Sequence, residues 1–526
     1  MRLRKSNLLA VALAAAVALP AGWASAEQIE DAAAASGDAR RLLKAVGVPG
    51  IMSHERVLQW IADRSGDTRA SGTIGYTRSA DYVAAQLKGA GYAVRFQPFT
   101  FILFEETAVP TLARVAPTAR TYGAGTDFLT MEYSGSGNVV RGPVVGIGLQ
   151  VPPSGPDGSS TSGCAAGDFP APPAADAVAL IQRGTCTFGS KATLAAAAGY
   201  AAAIIFNEGQ PGRTDLLNGT LGDPVSIPVL GATYALGAEL AGLLKSGPVT
   251  VNLSTQTRST PQTSRNVIAD SPGGRADRVV VVGAHLDSVP EGPGINDNGS
   301  GTATILEIAR QMARLHLRPV NKLRFAFWGA EESGLVGSQH YVDSLSEAQA
   351  ARIMLNLNFD MVGSPNFVRF VYDGDGSATP DDPDAAGPPG SAAIERVFLR
   401  YFRGVGLATE PTAFDGRSDY GPFIAVGIPA GGLFTGAEGL KTAREARIYG
   451  GQAGVAYDRC YHQACDTLRN LSKVALDQMG DAAAFVTLTL ANRATPLAPT
   501  AAAATAQAKA AGKRAALLYR GSKLQR

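Results

Sequence analysis

The chain has 526 residues and a formal net charge of +2, with 45% hydrophobic and 17% charged residues. This length exceeds one ordinary hydrophobic core and predicts two or three domains, and the composition excludes a largely disordered chain. The near-neutral charge gives no general electrostatic basis for binding nucleic acid, so we predict no nucleic-acid partner.

Residues 1–26 have the pattern of a signal peptide. Basic residues precede an apolar run from Leu8 to Leu19, and Ala24-Ser25-Ala26 matches a small-x-small cleavage site. The run is short for a bilayer span, although a retained membrane anchor is the alternative interpretation. No later segment is apolar for long enough to cross a bilayer. We therefore predict a secreted or periplasmic mature protein with no stable membrane span.

The four cysteines fall into two pairs along the chain. Cys164 and Cys186 form the first pair, and Cys460 and Cys465 the second. In an exported protein an even number of cysteines predicts disulfides, here two. A zinc knuckle is the alternative, but the spacings fit it poorly.

After the signal peptide, the patterns divide the chain into five further segments. Helical spacing from Glu55 and over 81–88 is followed by an edge strand over 92–101. Short strands at 139–145, 177–181 and 203–206 then alternate with Gly, Pro and Ser clusters and one helix over 191–198, which predicts an insertion with its own core. The predicted segments are a leader (27–50), the first part of the main domain (51–121), the insertion (122–256), the second part of the main domain (257–497) and a basic, alanine-rich tail (498–526).

The second part of the main domain predicts an α/β fold. Strands at 279–282, 322–327, 353–359 and 368–372 alternate with helices at 301–315, 391–403 and 471–491. Alternation of this kind favours a mostly parallel mixed sheet flanked by helices. The β-branched run Val279 to Val282 is typical of a strand buried on both faces.

Candidate chemistry sits where these strands end. His285 closes the first strand, and Asp287, two residues on, is placed to orient its imidazole. Asp297 lies in a glycine-rich loop that permits close approach of the backbone to an ion. Further candidates follow the next strands: Glu331 and Glu332 after the second, Asp360 after the third, and His462 between Cys460 and Cys465.

Two imidazoles and several carboxylates form a ligand set for two zinc-like ions. A consistent division places His285 and Asp360 on one ion and Glu332 and His462 on the other, with Asp297 bridging. Glu331 then stays free as a general base. The N and O donors would also accept Mn²⁺ or Co²⁺. His54, His316 and His340 lack such a context and are predicted to be structural.

Five ordered motifs resemble the M28 family of zinc aminopeptidases. They are Ala284-His285-Leu286-Asp287-Ser288, Asn296-Asp297-Asn298-Gly299-Ser300-Gly301, Trp328-Gly329-Ala330-Glu331-Glu332-Ser333-Gly334-Leu335, Asn358-Phe359-Asp360-Met361 and Tyr461-His462. The resemblance covers about residues 50–110 and 260–495. It implies a zinc-exopeptidase fold, peptides and protein N-termini as substrates, and preference for large apolar first residues such as leucine.

The resemblance also implies individual roles. His285, Asp297 and Asp360 would hold one zinc, and Asp297, Glu332 and His462 the other. Glu331 would be the general base, and Tyr461 would hydrogen-bond the oxyanion. Arg417, with Asp360 and Glu331, would surround the substrate amine, and Phe434 would line the pocket for the first side chain. The Asp297–Asn298 peptide bond is expected to be cis.

The insertion resembles a protease-associated (PA) domain through Ala179 to Phe188, Lys191 and the stretch Ala195 to Asn207. This implies a lid or a substrate-docking role, and a passive spacer is the alternative. Three other functions stay open: a carboxypeptidase, with Arg417 holding a free carboxylate; a glutaminyl cyclase with a single zinc; and a non-catalytic PA-containing binding protein. The complete ligand set argues against the last two.

Overall fold

A computed structural model describes residues 37–154, 159–379, 386–497 and 519–525. The predicted signal peptide lies outside these residues. The helices are Gly37–Ala45, Val48–Asp63, Ile74–Gly89, Phe188–Ala197, Tyr234–Leu244, Gly301–Arg314, Val336–Asp343, Glu347–Ala350, Ser391–Gly404, Tyr420–Ala425, Ala443–Tyr449 and Lys473–Ala491. Short 3-10 turns cover Ala166–Asp168 and Leu468–Asn470, and a π-helical turn covers Ile295–Ser300.

The strands of the main domain form one part of a large mixed sheet. In spatial order they are Glu410–Thr412, Phe370–Tyr372, Ala430–Phe434, Ile353–Phe359, Arg275–His285, Asn321–Trp328 and Thr250–Asp270. The strand Arg275–His285 pairs in parallel with both of its neighbours. The predicted fold class, a mostly parallel mixed sheet flanked by helices, is confirmed.

Apolar patterning explains why the sheet is covered on both faces. Val280 and Val282 pack into the largest hydrophobic cluster with one set of helices, and Val281 points into a second cluster beside Trp328 and Phe423. Because successive side chains of a strand point to opposite faces, the β-branched run fills both layers. The C-terminal helix Lys473–Ala491 has 14 of its 19 residues buried, which closes the main core.

A long antiparallel pair connects the main domain with the insertion. Ala93–Ala116 pairs with Thr250–Asp270 over nearly their full lengths, so the second strand runs across the predicted boundary at residue 256. The insertion continues the sheet with Gly137–Ile147, Val178–Gln182, Ala202–Phe206, Val229–Ala232 and Phe128–Thr130. Its own hydrophobic core includes buried residues such as Ile204 and Phe206.

Two terminal regions differ from the simple segments expected from composition. Within the predicted leader, Gly37–Ala45 is a helix whose Ala39 and Leu42 are buried in the main core. These two residues lie three positions apart and share one helix face. Within the predicted tail, Tyr519–Arg520 and Lys523–Leu524 form a short antiparallel hairpin. Among the described residues, the helices are too short or too polar to cross a membrane.

Candidate active site

Parallel strands deliver most candidate side chains to one edge of the sheet. His285 is the last residue of its strand, Glu331 and Glu332 follow the strand ending at Trp328, and Asp360 directly follows Phe359. Because carboxyl ends of parallel strands meet at the same edge, residues far apart in sequence become neighbours.

The π-helical turn Ile295–Ser300 brings Asp297 to the same edge. The Asp297–Asn298 peptide bond is cis, as expected from the resemblance. The side-chain amide of Asn298 is buried, donates to Phe359 O at 2.9 Å and accepts from Met361 N at 3.1 Å. These two bonds tie the Asp297 loop to the main chain on either side of Asp360.

Asp297 lies between the two histidines. Its Oδ1 is 3.2 Å from His285 Nε2, and its Oδ2 is 3.2 Å from His462 Nε2. Each histidine has a second carboxylate on the same nitrogen: Asp360 Oδ1 at 3.2 Å from His285 and Glu332 Oε2 at 3.0 Å from His462. The five residues therefore form two N/O donor groups that share the Asp297 carboxylate, and such donors suit a divalent metal.

The other nitrogen of His285 faces Asp287. Nδ1 is 3.2 Å from the main-chain oxygen of Asp287 and 3.8 Å from its Oδ1. When Nδ1–H donates to Asp287, the imidazole keeps the electron pair of Nε2 available as a metal ligand, on the side of Asp297 and Asp360. Asp287 also accepts from Glu331 N at 3.3 Å, so it connects the histidine with the glutamate segment.

The site contains a surplus of buried carboxylates, which a bound cation would stabilise. Burial raises the pKa of Glu332 to about 7 and also raises the pKa of Glu331, where the Glu332 charge adds to the effect. Burial lowers the pKa of His462, but the carboxylates of Glu332 and Asp297 outweigh it and raise that pKa to about 10. Among the described residues, buried Glu332 Oε1 has no hydrogen-bond partner. A bound divalent cation would stabilise this carboxylate surplus and occupy that oxygen, so the donor set fits zinc.

Both predicted disulfides are present, and one of them frames His462. The Cys460–Cys465 disulfide closes the loop that carries His462, and Cys164–Cys186 lies in the insertion. Directly after the loop, Asp466 accepts the main-chain N–H groups of Asn296 and Asp297, both at 2.9 Å. One carboxylate thus fixes the Asp297 loop against the segment that carries His462.

A second carboxylate supports the same junction. Asp458 precedes the disulfide loop and accepts from Asn296 Nδ2 at 2.7 Å and from Cys460 N at 2.8 Å. Asn470 Nδ2 donates to both Asp458 and Asp466. The relative position of the two halves of the site is therefore set by buried hydrogen bonds as well as by the disulfide.

Arg417 lies at the rim of the cavity, beside Glu438 and Tyr461. It forms a two-pronged ion pair with Glu438, at 2.6 and 3.1 Å, and its Nη2 is 3.5 Å from the Tyr461 hydroxyl. The Tyr461 ring stacks on His462, with centroids 3.9 Å apart. Asp360 instead accepts from Ser418 Oγ at 2.5 Å. Arg417 is thus part of the cavity, and its ion pair is with Glu438.

One wall of the cavity is apolar. Phe434 stacks on Phe370 with centroids 5.9 Å apart, and Tyr457 meets Phe370 edge-on at 5.4 Å. A cavity of about 210 Å³ is lined by this wall, by Ser522 of the tail and by nine predicted side chains. The nine are His285, Asp297, Glu331, Glu332, Asp360, Arg417, Phe434, Tyr461 and His462.

Sequence reasoning missed the residues that hold this site together. The cavity lining does not include Asp466, Asp458 or Asn298. Their positions beside candidate residues were the available sequence signal: Asp466 follows Cys465, and Asn298 follows the candidate bridging residue. Outside the site, His54 bonds with Tyr82 and Glu307 between helices, in agreement with its predicted structural role.

Comparison with known proteins identifies the family. Residues 266–487 match the model of peptidase family M28, and residues 140–240 match the PA domain. An aminopeptidase of Pseudomonas aeruginosa is 48% identical over 433 residues, which is 82% of this chain and 78% of that protein. A probable leucine aminopeptidase 2 of Aspergillus fumigatus is 40% identical over 431 residues, which is 81% of this chain and 79% of that protein.

Solved structures agree with this assignment. The aminopeptidase from Aneurinibacillus sp. strain AM-1 superposes with a TM-score of 0.66 at 28% identity, covering 85% of this chain and 95% of that chain. A zinc aminopeptidase from Bacillus subtilis gives a TM-score of 0.53 at 26% identity, covering 84% and 94%. The chain belongs to peptidase family M28 and carries a PA domain. It is an enzyme of the metallo-aminopeptidase class.

Proposed function

We propose that this chain is an exported aminopeptidase that uses two zinc ions to remove large apolar residues, such as leucine, from the N-termini of peptides. The observation that carries the proposal is the shared carboxylate: the two oxygens of Asp297 face His285 and His462, and each histidine has its own second carboxylate. The zinc aminopeptidase of Bacillus subtilis supports the choice of metal. Mn²⁺ or Co²⁺ would fit the same N/O donors.

The residues that would hold zinc are His285, Asp297 and Asp360 for one ion, and Asp297, Glu332 and His462 for the other. When bound, the ions would polarise the scissile carbonyl and lower the pKa of the attacking water. The chain supplies the remaining chemistry through groups that are not needed as ligands.

Glu331 is the proposed general base. It is 4% exposed and lies in the cavity beside His285 and Asp360. Its carboxylate would take a proton from the attacking water and pass it to the leaving amine. Burial raises its pKa, which favours a group that both accepts and returns a proton near neutral pH.

Tyr461 is proposed to donate a hydrogen bond to the developing oxyanion. Its ring is held by stacking on His462, and Arg417 lies 3.5 Å from its hydroxyl. Burial raises the pKa of Tyr461, so the hydroxyl stays protonated and able to donate. Arg417 would act here through Tyr461 and, at the rim, would help to orient the amino end of the substrate.

The preference for leucine-like first residues rests on the apolar wall. Phe434, Phe370 and Tyr457 offer a surface on which a branched apolar side chain loses contact with water. The free amine of the substrate would face Asp360 and Glu331, which line the same cavity and provide negative charge. The Aspergillus fumigatus relative, a probable leucine aminopeptidase, is consistent with this preference.

Hydrolysis of leucine p-nitroanilide by the purified chain tests the proposal, with N-acetyl-leucine p-nitroanilide as the matched control. We expect cleavage of the free-amine substrate alone, loss of activity with a chelator and recovery with zinc. Metal analysis should give two zinc ions per chain. Cleavage of neither substrate by a chain that holds two zinc ions would refute the leucine preference and direct the assay to other first residues and to carboxypeptidase substrates.

Export is the remaining part of the proposal. The two disulfides among the described residues are typical of an oxidising compartment, and the signal-peptide pattern lies ahead of them in the sequence. Expression with its own N-terminus should yield processed protein outside the cytoplasm that begins after Ala26. Intact N-terminal sequence on a membrane-bound product would instead favour the retained anchor.

A further inference from the structure

The C-terminal hairpin of residues 519–525 docks between the insertion and the main domain. Tyr519–Arg520 pairs with Lys523–Leu524 around a turn in which Gly521 has a φ of +63°. This segment belongs to the basic, alanine-rich tail, so nothing in its composition predicts an ordered contact.

On the side of the insertion, the segment binds as an added strand does. Thr220 N donates to Leu524 O at 2.7 Å, and Phe188 N donates to Gln525 O at 2.9 Å. Lys523 Nζ donates to the side chain of Asn218 at 3.0 Å. Leu524 also packs against the apolar core of the insertion. Main-chain pairing with one buried side chain is how many domains bind extended peptides.

On the side of the main domain, the segment contacts the loops around the cavity. Tyr519 N donates to Asp415 O at 3.2 Å, and the Tyr519 ring centroid lies 5.2 Å from the Arg417 guanidinium carbon. Arg520 donates from Nε to Gly334 O at 3.0 Å and from Nη1 to Gly222 O of the insertion at 3.3 Å. One arginine therefore joins both domains across the cleft.

These contacts place the hairpin turn at the candidate active site itself. Ser522 lines the same cavity as His285, Glu331 and His462. A Cβ added at Gly521 would lie 3.3 Å from Glu331 O and 3.4 Å from Gly334 Cα, so the turn lies close to the main chain of both residues. A peptide that occupies this cavity would therefore share its space with Ser522 of the hairpin.

We infer that the C-terminal segment 519–525 is a built-in blocker of the active-site entrance, which peptides must displace or a protease must remove. The inference rests on the proposed function for its kinetic readout. Since the blocker is tethered, its high effective concentration lets modest contacts compete with free substrate. Lys509, Lys513 and Arg514 precede the segment in sequence, so a protease specific for basic residues would convert it into a separate, dilutable peptide.

The test compares the full chain with the double variant Arg520→Ala/Leu524→Asp. A matched control is Arg403→Ala/Val405→Asp, which makes the same kinds of change at exposed positions of a distant helix end. A hydrogen bond from a charged donor changes an equilibrium by roughly tenfold. We therefore expect kcat/KM for leucine p-nitroanilide to rise about tenfold or more in the hairpin variant, to rise further for longer peptides, and to stay at the wild-type value in the control.

Two readouts do not depend on peptidase activity. The amide hydrogens of Thr220 and Phe188 should exchange slowly in the full chain and faster in the hairpin variant, because the segment accepts both. Dipicolinate should also remove bound zinc faster from the variant than from the full chain. Thermal unfolding of all three proteins checks that they are folded.

The outcomes separate this inference from the proposed function. Equal amide exchange in the full chain and the hairpin variant would show that the segment is not docked and would overturn the inference. Equal kcat/KM in active proteins would overturn it as well, because docking would then block nothing. If every protein is inactive, the proposed function fails. In that case, equal rates of zinc removal by dipicolinate from the full chain and the hairpin variant would still overturn the inference that the segment blocks the site.

Discussion

Replacement of Asp466 by alanine is the sharpest test of how the site is held together. Asp466 contacts no cavity, yet its carboxylate accepts the main-chain N–H groups of Asn296 and Asp297 at 2.9 Å and Asn470 Nδ2 at 3.0 Å. The variant leaves these donors without their acceptor in a buried junction. Each buried donor left unpaired costs about 1–3 kcal/mol, so the two main-chain groups alone lower the free energy of unfolding by about 2–6 kcal/mol.

The effect on metal binding follows from the same contacts. With Asp466 absent, the Asp297 carboxylate is no longer fixed opposite His462, and the shared ligand loses its orientation. Loss of a residue that orients a ligand lowers metal affinity or activity by about 10- to 100-fold. We expect the Asp466→Ala chain to require a correspondingly higher zinc concentration for half-maximal hydrolysis of leucine p-nitroanilide, measured in metal-buffered solutions.

Two further variants make the comparison specific. Asp466→Asn keeps one acceptor oxygen and should give losses of stability and zinc affinity between those of wild type and Asp466→Ala. Asp477→Asn changes an exposed carboxylate on the C-terminal helix and should change neither. A folded Asp466→Ala protein with wild-type zinc affinity and activity would refute the reasoning, because the loop would then hold its position without this acceptor.

Three other predictions concern single groups. Glu331→Gln should retain zinc and lower kcat by about 10²- to 10⁴-fold, and near-normal turnover would contradict its role as base. Tyr461→Phe should lower kcat by about 10²- to 10³-fold with little change in KM, and a loss confined to KM would contradict an oxyanion contact. Burial, with the Asp375 and Asp373 charges, raises the pKa of Glu395 to about 7. The folded chain therefore holds this proton more tightly than the unfolded chain does. The free energy of unfolding should fall as pH rises from about 4.5 to about 7. Glu395→Gln keeps an acceptor for Gly374 N and should flatten that fall in urea titrations; an unchanged pH dependence would contradict the assignment.

Local patterns were sufficient for the elements that surround the site. The strand Ile353–Phe359 and the helix Gly301–Arg314 match their predicted positions to within a residue, because a continuous apolar run and helical spacing are strong signals. The strand Ala93–Ala116 extends far beyond its predicted end at residue 101. Its outer half is stabilised by pairing with Thr250–Asp270, a partner too distant in sequence for local reasoning to find.

The candidate site also contains residues that local sequence patterns predict and residues that they do not. Motifs around His285 and Asp297 were readable because each combines a strand end or a glycine-rich loop with a metal-binding residue type. The partner of Arg417 could not be predicted from the sequence, because Glu438 lies in a loop and belongs to no recognisable motif. The fold brings the two charged groups to 2.6 Å. The expectation that Arg417, with Asp360 and Glu331, surrounds the substrate amine came from family resemblance alone and stays a prediction.

The pairing of Arg417 with Glu438 also changes how the rim should respond to charge. Arg417 contacts Glu438 and lies near both Tyr461 and Tyr519, so the proposed oxyanion donor and the C-terminal segment contact the same guanidinium. When the segment leaves, the Tyr519 ring no longer covers Arg417, and the substrate carbonyl meets a guanidinium whose charge is balanced by Glu438 and Asp415. Under both proposals, control of access and stabilisation of the reacting carbonyl depend on Arg417, and a tail with no sequence signal acts through this residue on a site more than 50 residues upstream.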